Sequence, residues 1–146
     1  MTSASFQLSP WNLERAAELE AWGHDRREVL QAGLDAVLAL IQGEDLQRPS
    51  ENGPLVPLRG EGDTTAALFG DLLDDLMAQI AVHGSIQAAA LDGVLKRDRE
   101  GFVAWGYLSP QDPAGQLATF ERVGDVQAVT ETPDEIRLRV TLRRMG

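Results

Sequence analysis

Three arginines near the end of the sequence, Arg137, Arg139 and Arg143, alternate with other residues in the way that places side chains on one face of a β-strand. A guanidinium group presents a planar fork of hydrogen-bond donors, which suits both phosphates and carboxylates. We therefore predict that these arginines form a partner-binding stripe, facing phosphates or an acidic protein surface. The structural alternative is that they pair across the sheet with acidic residues such as Glu131.

Two aromatic residues form a second candidate for partner binding. Trp105 and Tyr107 alternate along the segment 102–108, which has the composition of a strand. Large aromatic side chains with a polar tip are frequent anchors of protein interfaces. If this side of the sheet is open, both rings are available to a partner; the alternative is burial in the core.

Residues that commonly carry catalysis or bind metals are scarce. The sequence has no cysteine, and its histidines are His24 and His83, which excludes a thiolate site and a histidine triad. Asp71, Asp74 and Asp75 share a face of a predicted helix, a pattern typical of a solvated surface rather than a cation site. Phosphate-binding glycine loops, dinucleotide fingerprints and nucleophile elbows are missing. We expect a non-catalytic protein without a cofactor.

The composition is that of a folded, soluble domain. A chain of 146 residues with 43% apolar and 25% charged side chains has the usual size and balance of one domain, here 1–146. Its net charge of −10 disfavours broad contact with nucleic acid. The sequence contains neither a secretory signal nor a membrane-length apolar stretch. We therefore expect a cytoplasmic protein with no membrane and no nucleic-acid partner.

Two amphipathic helices are the clearest elements that must position these residues. Asp25 and Glu28 form a capping-box pattern at the start of the first, over 25–42, and the second begins at Asp63 or Thr64 and ends before Gly84. The remaining patterns predict strands at 4–9, 15–22, 55–59, 85–96, 102–108, 126–132 and 136–143.

The order of these elements predicts an α+β fold. We expect a two-layer sandwich, with both helices packed on one face of a mixed, mostly antiparallel sheet. Because it contains Pro57, the segment 55–59 should be an edge strand or no strand at all, and Gly60–Gly62 should end it. Residues 109–122 are predicted to form a loop long enough to be functional.

Three stretches of the sequence, taken in order, resemble the archease family, the accessory proteins of the GTP-dependent RNA ligase that joins tRNA halves. They are LEAWGHDRREVLQAGLDAVLALI, LFGDLLDDLMAQI and VQAVTETPDEIRLRVTL. The resemblance implies an archease-like fold and a role as a non-catalytic accessory protein or modulator of the tRNA-splicing RNA ligase. It also implies a protein partner, with the ligase as the first candidate.

The sequence departs from the archease pattern where that family has its acidic metal site. Leu13, Glu14, Arg15 and Ala16 stand at the positions of the family's HTAD segment, so that Ala16 replaces its aspartate, and Arg143 replaces the aspartate of the last strand. A hard cation needs several converging oxygen ligands, which a methyl group and a guanidinium cannot supply. The resemblance therefore implies that this metal site is lost, and we expect no calcium there.

Two alternatives remain open at this stage. One is a small-molecule-binding domain or enzyme that closes the 109–122 loop over the sheet. The other is a homo-oligomeric structural protein, in which an apolar patch around Trp105 and Tyr107 is buried between copies.

Overall fold

The computed structural model describes residues 4–42, 55–83, 86–97, 101–110 and 119–145. Within these ranges two helices and seven strands follow in the order β1 (Ser5–Leu8), β2 (Ala16–Gly23), α1 (Arg26–Gln42), β3 (Val56–Gly62), α2 (Thr65–His83), β4 (Ile86–Arg97), β5 (Gly101–Pro110), β6 (Thr119–Glu131) and β7 (Ile136–Met145).

Both predicted helices are confirmed, together with the local signals that start them. The Asp25 carboxylate accepts a hydrogen bond of 2.9 Å from the Glu28 backbone N–H, which caps α1. The Thr64 hydroxyl accepts one of 3.1 Å from the Ala67 N–H and caps α2. The apolar stripes of the two helices are buried, including Leu30, Leu34, Val37, Leu38, Leu68, Leu72, Leu73 and Leu76.

The described strands form two sheets rather than the one expected. Their orders are β1-β2-β7-β6 and β3-β5-β4, and every described pairing is antiparallel. Helix α1 packs on β1, β2 and β4, while α2 packs on β3, β5 and β6, so each helix joins the two sheets. The predicted α+β class with two helices packed on antiparallel strands is confirmed.

The smaller sheet stays separate because helix side chains bind the outer edges of its two edge strands. Along β3, the N–H of Arg59 donates to Asp75 (3.0 Å) and that of Glu61 donates to Asp71 (2.7 Å). Along β4, the Gln31 amide donates to the Ala89 carbonyl (3.0 Å) and accepts from the Leu91 N–H (2.7 Å). Backbone groups satisfied in this way cannot pair with a further strand.

The prediction that Gly60 and Gly62 end the third strand is wrong, because β3 continues through both. They allow close packing instead: a Cβ on Gly60 would lie 2.8 Å from Cγ of Leu72 in α2. The edge position expected from Pro57 is correct, since β5 is the one strand among the described residues that pairs with β3. Pro57 has the same orientation as Arg59, so its missing N–H falls on the side away from β5.

The predicted loop at 109–122 is shorter than expected. Strand β5 extends to Pro110 and β6 begins at Thr119, while 111–118 lie outside the described residues. The start of β6 is paired with β7, and there the Phe120 ring stacks on that of Trp11, with centroids 5.7 Å apart. Between Val123 and Gln127 the register shifts through Gly124, whose φ of 77° suits glycine.

No helix among the described residues has the length and hydropathy needed to cross a membrane.

Candidate functional site

The predicted arginine stripe lies on the outer face of the larger sheet. In β7, Ile136, Leu138, Val140 and Leu142 are buried, so that alternation turns Arg137, Arg139 and Arg143 outward. The neighbouring strand β2 alternates in the same way, with Leu19 and Ala21 in the core. The outward residues of β2 therefore lie beside the arginines.

Glu20 of β2 joins two of the three arginines. Its Oε1 lies 2.7 Å from Nη1 of Arg137, and its Oε2 lies 3.0 Å from Nη2 of Arg139. The hydrogen bond from Arg137 is the largest influence on Glu20 and lowers the pKa of its carboxyl; Arg139 lowers it further, against the opposing effect of burial. Glu20 is therefore firmly ionised at neutral pH.

The remaining contacts of Arg137 and Arg139 extend this network. Arg137 also pairs with Glu135 at 2.9 Å, and its guanidinium carbon lies 4.5 Å from the centre of the Trp22 ring. Arg139 also pairs with Glu18 at 3.3 Å. Each guanidinium thus has two carboxylate neighbours.

Arg143 is paired at the far end of the stripe. Its Nη2 lies 2.6 Å from Oε1 of Glu121 in β6. On the opposite side of β7, its register partner in β2 is Ala16. The stripe is therefore paired within the chain, as in the structural alternative, although Glu131 is not the partner: it accepts a 3.2 Å hydrogen bond from the Thr65 hydroxyl. Pairing with carboxylates makes the surface a pattern of alternating charge.

The aromatic candidates lie on the other sheet, so the structure does not bring them together with the arginines. Trp105 and Tyr107 of β5 alternate with buried Ala104 and Leu108. The Trp105 indole N–H donates to Asp92 at 3.2 Å, while Tyr107 is 44% exposed. Tyr107 is therefore accessible, whereas Trp105 is half-buried.

The acidic face of α2 has a structural role. Asp71 and Asp75 bind the edge of β3, and the two oxygens of Asp74 accept hydrogen bonds of 3.2 and 2.9 Å from Arg122. His24 lies 3.8 Å from Glu28, and the side chain of His83 is outside the described part of the structure. Within the described ranges, no three His, Cys, Asp or Glu side chains are grouped so that they could hold a metal ion.

Sequence reasoning missed a cleft of 480 Å³ between β1, α1 and β4. Its lining includes Phe6, Gln31, Asp35 and Leu91. Asp35 is half-buried and accepts a 2.9 Å hydrogen bond from Gln31; burial raises the pKa of its carboxyl, and that hydrogen bond opposes the rise. The signal for this cleft in the sequence was the polar pair Gln31 and Asp35, which lie four positions apart beside the apolar stripe of the first helix.

Comparison with solved structures provides a match over nearly the whole chain. The solution structure of protein 1598 of Methanobacterium thermoautotrophicum superposes with a TM-score of 0.65 over 95% of this chain and 98% of that one. The chain has an archease-like fold. The identity of 21% shows the fold alone. No family model and no curated protein sequence matches the chain.

In the archease-like fold of this chain, the positions expected to hold the acidic pair lie side by side on β2 and β7. They are occupied by Ala16 and Arg143. Neither side chain carries an oxygen ligand, and the guanidinium is bound to Glu121. The residues present therefore do not fit a divalent cation at this place.

Proposed function

We propose that this protein is an archease-like, non-catalytic accessory protein that binds another protein. The GTP-dependent tRNA-splicing RNA ligase is the first candidate partner, and the protein would modulate it. The observation that carries the proposal is the archease-like fold over 95% of the chain, in agreement with the three resembling stretches of sequence. The same proposal takes the protein to be cytoplasmic.

The ionisation state of Glu20, on the outer face of the larger sheet, supports a binding role for that face. Catalytic acids and bases are commonly found in clefts, where their pKa values are shifted toward neutrality. On the outer face of the larger sheet, the pKa of Glu20 is shifted the opposite way, by Arg137 and then Arg139, so this carboxylate stays ionised at neutral pH. A fixed array of paired charges is better suited to recognising a partner surface than to transferring protons.

We further propose that the protein works without the metal site that the archease resemblance implies. The opposition of Ala16 and Arg143, with Arg143 bound to Glu121, supports this. Any contact with a ligase would then use the charged outer face of the larger sheet, or Tyr107 on the smaller one.

Co-purification and ligation assays test the proposal. Tagged protein should retain the RNA ligase from the same organism and should raise its rate of joining tRNA halves. Arg143→Glu and Tyr107→Ala each test one surface, and Val82→Ala, at a position that is exposed on α2, is the control. Absence of both binding and stimulation with the unaltered protein rules out the ligase role.

Size-exclusion chromatography with mass measurement separates this proposal from the homo-oligomeric alternative. A monomer that binds a ligase agrees with an accessory protein. A stable dimer that Tyr107→Ala dissociates would instead support assembly of copies through the face carrying Tyr107 and Leu95, which is 59% exposed.

A further inference from the structure

Strand β1 differs from β3 and β4, the two edge strands of the smaller sheet. In β3, two outward N–H groups donate to Asp71 and Asp75, and in β4 an outward C=O and an outward N–H are hydrogen-bonded to Gln31. Directly after β1, the Ser9 N–H donates to the Glu18 carbonyl, which shows that the odd-numbered residues of this segment point their backbone groups at β2. The backbone groups of Phe6 and Leu8 therefore point away from the sheet, and no described residue hydrogen-bonds to them.

The 480 Å³ cleft lies beside this open edge. Its volume falls within the range of about 300–1,000 Å³ that is usual for binding sites. Phe6, Ala32 and Leu91 provide apolar lining, and Asp25, Glu28 and Asp35 outnumber Arg27 among the charged groups. The cleft therefore favours a ligand with both apolar and cationic parts.

Asp35 is the charged group best placed to select that cation. It is half-buried, and its Oδ1 accepts a hydrogen bond from Gln31, whereas no described residue donates to its Oδ2. An ionised carboxylate with a free oxygen in a half-buried site gains from a charged donor, which offsets its desolvation.

We propose that this cleft binds an extended segment of a partner protein, which pairs with β1 as an additional strand and directs an arginine or lysine side chain to Asp35. The backbone of Phe6 supplies one N–H donor and one C=O acceptor to the segment. The alkyl part of the basic side chain would lie on the apolar lining, and its head would donate to Oδ2 of Asp35. The inference rests on the proposed function only in taking the partner to be a protein.

Titration of the isolated protein with short capped peptides tests this inference. The probe is acetyl-Val-Arg-Val-amide, followed by two-dimensional NMR of the ¹⁵N-labelled protein. We expect shift changes at Ser5–Leu8 and around Gln31 and Asp35. Replacing the peptide arginine with glutamine should weaken binding about tenfold, as expected for one charge-assisted hydrogen bond. Methylating the backbone nitrogens of the peptide, which removes their N–H donors, should weaken binding by a similar factor.

Two further experiments separate the contribution of the charge from that of the backbone pairing. Asp35→Asn should weaken the arginine peptide about tenfold and leave the glutamine peptide unchanged, whereas Asp134→Asn, which alters the same charge on an exposed turn, should change neither. Agmatine, which offers the guanidinium without a backbone, should bind far more weakly than the arginine peptide. Equal binding of agmatine, or shift changes away from β1, would overturn the proposal.

The outcome is independent of the ligase assays. If the peptide fails to bind β1 while the protein still retains the ligase, this inference fails and the proposed function stands. If the peptide binds as described and the ligase is not retained, the ligase role fails and the peptide site stands.

Discussion

Ala16 lies directly opposite Arg143 in the antiparallel pairing of β2 with β7. Arg143 in turn reaches Glu121 on the next strand, β6, so its guanidinium is paired on the side of β7 away from Ala16. The fold therefore keeps side by side the two positions at which the archease resemblance implies an acidic pair. At these positions the chain has a methyl group and a cation in place of two carboxylates.

A calcium titration tests whether this replacement removes calcium binding. Millimolar calcium should leave the Tm of the unaltered protein unchanged, because Arg143 repels the ion and neutralises Glu121. The double variant Ala16→Asp with Arg143→Asp would place two new carboxylates beside Glu121 on adjacent strands, and we expect it to bind calcium with a Kd of roughly 10⁻⁴–10⁻³ M. The control is the corresponding double asparagine variant. A calcium-dependent rise in the Tm of the unaltered protein would refute the prediction.

Acid should weaken the contribution of Glu20. Its folded-state pKa is lowered, first by Arg137 and then by Arg139, so the stabilisation is complete above its unfolded pKa of about 4.3 and is lost as the pH falls through the lower folded value. We expect Glu20→Gln to reduce the free energy of unfolding by about 1 kcal/mol at pH 7. Urea denaturation should show this difference shrinking below the unfolded pKa. Glu14→Gln, on an exposed residue, should have little effect at any pH.

The carboxylates on α2 should protect the edge of β3. Replacing Asp71 and Asp75 together with alanine removes the acceptors of the Glu61 and Arg59 amides, and should accelerate their hydrogen exchange. We expect the free energy of unfolding to fall by about 1–2 kcal/mol, less what alanine gains in helix propensity. Asp74→Ala makes one such substitution on the same helix, and among the described contacts it breaks the Arg122 pair and leaves the β3 amides bonded. If exchange at the two amides does not change, the carboxylates do not cover this edge.

Two helix glycines should respond to alanine in opposite directions. At Gly33 of α1, an added Cβ would lie 2.5 Å from Cε1 of the buried Phe69, so we expect a loss of about 1–3 kcal/mol in the free energy of unfolding. At Gly70 of α2, the nearest atoms would be 3.6 Å away, which is ordinary contact. Gly70→Ala should therefore stabilise the protein by about 0.5–1 kcal/mol. Thermal unfolding of the two variants compares the same substitution in two different surroundings. If both variants are more stable than the unaltered protein, the Phe69 ring moves readily to make room for the new Cβ.

The features that sequence reasoning predicted are those that neighbouring residues determine. Helix α1 follows from the Asp25 cap and the apolar repeat behind it, and β7 follows from strict alternation after Ile136. The partners of the arginines could not be predicted in this way, because Glu20 and Arg137 are 117 positions apart and their pairing depends on which strands meet.

The division into two sheets was missed for a related physical reason. It depends on hydrogen bonds that Gln31 and the α2 carboxylates make with the edges of strands. The spacing of apolar residues along a helix does not predict such contacts. The glycines of β3 were misinterpreted as breakers because their advantage lies in the closeness of α2, which local sequence does not reveal.

The pairing of Glu20 with Arg137 across 117 positions has a consequence for how the protein is made. A ribosome adds roughly 5–20 residues per second, so β2 waits on the order of ten seconds for the strand that completes it. During that interval the apolar side chains Leu19 and Ala21, which are buried in the finished protein, have no β7 beside them. We expect the nascent chain to depend on chaperones over this period, and a product released before β7 is synthesised to be degraded.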